Sequence, residues 1–144
     1  VLSWLRDIKE WGKIISHYLK HGGIFYIMET HPLLCIFDDD KRGELKIKYP
    51  YFPGKGPTFW DDDTPDYSNG EYIPKNPTYD WTWPLSEILA SLIEAGLKIE
   101  FLHEYDKLFY KEFPDMIQDE KGWWYLPKYK GMLPLTFTLR AKKI

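Results

Sequence analysis

Leu19-Lys20-His21-Gly22-Gly23-Ile24-Phe25-Tyr26-Ile27-Met28-Glu29-Thr30-His31-Pro32 is the stretch from which the rest of the chain is read. It holds the end of an amphipathic helix, a two-glycine turn, an uninterrupted apolar run and a polar tip closed by proline. Residues 24–28 have too few polar side chains for a half-exposed strand and are too short for a separate helix. The expectation is therefore a central, parallel-type strand covered on both faces. Ligands of such sheets bind outside the carboxyl ends of the strands, which directs attention to Glu29-Thr30-His31-Pro32.

Upstream, Trp4, Leu5, Ile8, Trp11, Ile15, Tyr18 and Leu19 recur at three- and four-residue steps, one apolar face of a helix. Asp7 and Glu10 have the spacing of an N-cap and capping box, so the helix is expected over residues 8–20, with Gly22 in a left-handed turn after it. Downstream, residues 33–80 carry prolines at 50, 53, 57, 65, 74 and 77, which exclude a long helix. Short strands are expected at residues 44–49 and 69–73. So long a stretch without a helix reads as a cap or lid, with a loop as the plainer alternative.

Pro84 opens a second helix with the stripe Leu85, Ile88, Leu89, Leu92 and Ile93, ending at Ala95-Gly96. Residues 97–104 alternate as a strand that is half exposed or near a sheet edge. A second irregular segment, residues 105–129, has room for a short helix at 113–118. Residues 133–141 close the chain as a strand able to run antiparallel to the others. The order is α/β with a small mixed sheet and flanking helices, in a single domain over residues 1–144.

Composition narrows the function. Nineteen basic and 22 acidic side chains, net charge -3, form no basic field, so nucleic acid is not an expected partner. No apolar run reaches the ~20 residues of a membrane helix. The single cysteine, Cys35, has no internal partner, and the early charges Arg6, Asp7, Lys9 and Glu10 do not read as a signal peptide, all of which points to the cytoplasm. Aromatic residues make up 18 %, with seven Trp and eleven Tyr, more than a core of this size needs; some should line a pocket or an interface.

Most chemical motifs fail. Pro53-Gly54-Lys55-Gly56-Pro57-Thr58 does not fit a P-loop, and Arg42 and Tyr49 stand where a calcium loop needs oxygen ligands. His17 with His21, and His103-Glu104, lack the further ligand of a zinc site, so no metal is expected. There is no Gly-x-Ser-x-Gly elbow. Glu29 and His31 remain, two residues apart at a strand end and expected to project together into a cleft, as a base or substrate clamp or, for Glu29, as a structural hydrogen bond.

Trp4-Leu5-x-Asp7, then Leu19-Lys20-x-Gly22-Gly23 into a strand ending Glu29-x-His31-Pro32, resembles the second half of class I S-adenosylmethionine-dependent methyltransferases. His21 takes the place of the proline usual in that turn. Tyr79-Asp80-Trp81-Thr82-Trp83-Pro84-Leu85-Ser86-Glu87-Ile88, the helix end Leu92-Ile93-Glu94-Ala95-Gly96-Leu97 and Leu133-Pro134-Leu135 extend the likeness over nearly the whole chain. The resemblance implies a partial Rossmann-like methyltransferase fold containing strands 5, 7 and 6 of the family's 3-2-1-4-5-7-6 sheet. The family's upstream strands, with the glycine-rich turn for the cofactor, precede this stretch. The expectation is thus a fragment or truncated product, inactive alone, that self-associates as a homo-oligomer, such as a dimer, through its exposed sheet edge. By the same resemblance, His31 is the candidate base, Trp4 and Leu5 the candidate S-adenosylmethionine contacts, and Glu29, Tyr72, Trp81 and Trp83 the candidate contacts to a small-molecule methyl acceptor. The alternative is a non-catalytic ligand-binding or self-assembly module with an aromatic-lined surface.

Overall fold

A computed structural model describes residues 1–38, 42–52, 54, 56–61 and 75–144. After a short 3-10 turn at Leu2–Trp4, helix α1 spans Ile8–Tyr18. The Asp7 carboxylate caps it, accepting from the backbone N–H groups of Lys9 and Glu10 at 3.0 Å each. The helix stops two residues short of the expected end. Gly22 then takes a φ of +76° that side-chain-bearing residues rarely adopt, and its N–H donates to the Lys143 carbonyl.

Strand β1 is Ile24–Thr30. Small strands β2 (Thr58–Trp60) and β3 (Thr78–Asp80) pair antiparallel, and helix α2 follows at Leu85–Glu94. Pro84 serves as the N-cap of α2 rather than its first helical residue. Strand β4 is Leu97–Tyr105, β5 and β6 are the two-residue strands Ile117–Gln118 and Trp124–Tyr125, and β7 is Thr136–Lys143.

The main sheet has the order β1-β7-β4, with β7 antiparallel to both neighbours. This is the 5-7-6 arrangement that the resemblance implies. Among the described residues β1 pairs with β7, from Ile24↔Lys142 to Thr30↔Thr136. One reading of β1 needs correction: it is not covered on both faces by the described residues. Phe25 and Ile27 enter the core, whereas Ile24, Tyr26 and Met28 are 48 %, 56 % and 41 % exposed. Both helices lie on one face, so the apolar character of the second face has no counterpart among the described elements.

The core under the helices joins Ile8, Ile88, Leu92, Phe137, Leu139 and Ala141. Gly12 lets α1 approach α2: a Cβ built there would stand 2.4 Å from the Ser91 carbonyl oxygen. A second cluster, Leu34, Leu108, Phe113, Met116, Leu126 and Leu135, sits under the irregular segments.

Two further expectations give way. Residues 44–49 contribute one bridge, Phe37↔Ile47, instead of a strand. Backbone bonds from Asp38 to Lys46 and from Lys48 to Ile36 tie them to the turn at Leu34–Ile36. The short helix at 113–118 is a turn feeding β5, closed by Met116 N–H on the Phe113 carbonyl, where Pro114 removes a donor. The strand expected at 69–73 lies outside the described residues.

Candidate functional site

A cavity of about 650 Å³ opens at the carboxyl end of β1. Four pieces of chain build it. The 3-10 turn at Leu2–Trp4 docks on the β3 side, where Trp81 N–H donates to the Ser3 carbonyl at 2.7 Å. The β1 tip brings Glu29 and Thr30; the β2/β3 ribbon brings Trp60 and Asp80; residues 109–112 bring Tyr110 and Glu112. Four of the chain's seven tryptophans, Trp4, Trp60, Trp81 and Trp83, line it. This accounts for part of the aromatic excess: the rings wall a concavity.

The sequence candidates divide. Trp4, Glu29, Trp81 and Trp83 come together on this wall. The Trp83 indole N–H also donates to the Leu5 carbonyl at 2.8 Å, so Leu5 positions a wall residue through its backbone without lining the cavity. Tyr72 lies outside the described residues. Glu29 accepts from its neighbour Thr30 N–H at 3.0 Å and from the Val1 amino group at 2.7 Å.

His31 does not share the cavity with Glu29. It is 5 % exposed, its ring edge-on to Phe137, with Nε2 2.8 Å from a Glu104 carboxylate oxygen and Nδ1 accepting from Leu33 N–H. Burial holds its pKa below the usual histidine range, against the opposing pull of Glu104. The turn after Pro32 folds back onto the ring, and both nitrogens are spent on holding that turn and β4 together.

Residues that the sequence reading did not single out complete the electrostatics. Asp80 is raised above the ordinary carboxylate range by burial, with the Trp60 and Trp4 indoles partly offsetting the rise. Tyr110 is raised by burial and by Glu112, and its hydroxyl lies 3.3 Å from Thr30 Oγ1. Cys35 reaches solvent, yet it sits in a crowded acidic wall; loss of hydration, then Glu112, Asp80 and Glu29, push its thiol up to about 12. It is therefore no ready nucleophile at neutral pH. Asp80 had a signal in its sequence, a carboxylate set between the rings Tyr79 and Trp81; Glu112 had none.

No protein-family model and no curated protein sequence matches the chain. Solved structures do. One is assigned as an S-adenosylmethionine-dependent methyltransferase from Listeria monocytogenes: TM-score 0.58, 14 % identity, covering 100 % of this chain and 58 % of that one. Another, an S-adenosylmethionine-dependent methyltransferase from Mesorhizobium loti, has a TM-score of 0.57 and 16 % identity, covering 99 % of this chain and 58 % of its own. The chain thus spans 58 % of the length of these structures. At such identities the likeness is one of fold: this chain is built as part of a methyltransferase-like α/β fold.

Proposed function

We propose that the chain is the substrate-side part of an S-adenosylmethionine-dependent methyltransferase acting on a small molecule, with little or no activity by itself. The observation that carries this reading is the cavity's position at the carboxyl end of β1, in a fold similar to part of the structural neighbours. The acidic, aromatic wall fits a positively charged group, and Trp4 is the cofactor candidate whose side chain lines it. When bound, S-adenosylmethionine supplies an electrophilic methyl carbon. The chain's own residues bind and orient the acceptor, exclude water between tryptophan faces, and offer Glu29 and Asp80 as proton acceptors. In this reading His31, the candidate base, acts by positioning the β1 tip that carries Glu29.

A second reading is a binding module without chemistry, favoured by one observation: His31, the candidate base, lies outside the cavity lining, with its ring nitrogens engaged by Glu104 and Leu33 N–H. Calorimetric titration with S-adenosylmethionine and S-adenosylhomocysteine, on this chain and on the longest natural form of the protein containing it, separates the two. Binding by the longer form supports the enzyme; absence of binding by either favours the module. Self-association through the β1 edge that no described strand pairs belongs to both readings, and a light-scattering mass of one chain at roughly tens of micromolar removes it. No described helix is long and apolar enough to cross a membrane, and a cytoplasmic site of action fits the proposal.

A further inference from the structure

We infer that the small molecule received by this cavity is an organic cation, a protonated amine carried on an apolar or aromatic body. The inference rests on the proposed function only in calling that molecule the methyl acceptor. Three carboxylates, Glu29, Asp80 and Glu112, contribute to the lining. No lysine, arginine or histidine does so among the described residues. Around the carboxylates stand the rings of Trp4, Trp60, Trp81 and Trp83, with Tyr49 beside Trp60 at 5.5 Å between centroids.

An anion entering this space would lose its hydration and meet like charge, whereas an ammonium would meet opposite charge and the negative faces of the rings. Burial first, and then the nearness of Glu112, Asp80 and Glu29, keeps the Cys35 thiol protonated. A bare metal ion is a poor match: no group of three His, Cys, Asp or Glu side chains among the described residues is gathered closely enough to hold one. The complementary cation is therefore organic, and about 650 Å³ leaves room for its apolar body. Asp80, with its raised proton affinity, is placed to take the proton such an amine must lose before it can act as a nucleophile.

The test is calorimetric titration of the chain with tyramine and with tyrosol, which replaces the ammonium by a neutral hydroxyl on the same aromatic body. Tyramine is expected to bind about tenfold more tightly, a preference that Asp80→Asn and Glu112→Gln each reduce while tyrosol affinity holds. Trp81→Leu, which keeps an apolar wall but removes a ring, should lower tyramine affinity selectively. Equal binding of the two, tighter binding of tyrosol, or no binding of tyramine at about 10 mM overturns the inference. Competition separates it from cofactor binding, since S-adenosylmethionine is itself a cation. Displacement of tyramine by S-adenosylmethionine overturns the acceptor assignment. A retained amine preference without any cofactor binding in the longest form leaves the inference standing and sinks the methyltransferase reading.

Discussion

The two faces of the β1-β7-β4 sheet carry apolar residues but live in different surroundings. Under α1 and α2, Phe137, Leu139 and Ala141 are fully buried. On the opposite face Ile24, Tyr26 and Met28 remain open, and the ring contacts there run along the surface, Tyr26 against Phe101 at 6.3 Å and Phe101 stacked on His103 at 4.6 Å. The difference teaches that side-chain alternation in a strand specifies two faces, while burial depends on what else is packed there. Stability should therefore come overwhelmingly from the helix-covered side.

Four substitutions probe that contrast. Phe137→Ala empties the centre of the covered face and should cost about 4 kcal/mol in denaturant titrations. Gly12→Ala, which would ordinarily favour a helix by about 1 kcal/mol, should instead cost about 2 kcal/mol, because the new methyl meets the rigid Ser91 carbonyl. Stabilisation by Gly12→Ala would mean that the helices are not in close contact. Tyr26→Thr on the open face should change stability by about 0.5 kcal/mol or less. A loss comparable to that of Phe137→Ala would show that the open face is covered in solution.

The fourth substitution concerns His31, where the covered core meets the β1 tip. Its pKa is lowered in the folded chain, so on acidification the unfolded chain takes up a proton first, near the ordinary value of about 6.5. The neutral ring's contribution is complete above that pH and declines as pH falls toward the folded value. His31→Gln should flatten the fall of the melting temperature between about pH 7 and pH 5. An unchanged slope would place the ring in water.

The sequence carried different parts of this architecture unequally. Asp7 could be read as a cap because the signal is local, and Gly22 because only glycine is at ease with a positive φ. The order β1-β7-β4 came through the ordered motifs of the family resemblance; periodicity in residues 24–28 by itself led to a strand covered on both faces. Alternation at 44–49 misled because Lys46 and Lys48 spend their backbone groups on a turn, a long-range outcome that local pattern does not encode. At the site, the tryptophans were legible from abundance. Among the carboxylates Glu29 was legible at its strand end, but its sharing of one cavity with Asp80 and Glu112 was not, since that depends on three distant segments converging.

Most direct for the claim that ligands bind in the cavity at the β1 tip is the response of the seven tryptophan indole N–H signals in ¹H–¹⁵N spectra during tyramine titration. The signals of Trp4, Trp60, Trp81 and Trp83 are expected to shift together, and those of Trp11, Trp123 and Trp124, which do not line the cavity, to stay in place. Shifts confined to the latter three, or no shift in any of the seven, would contradict it.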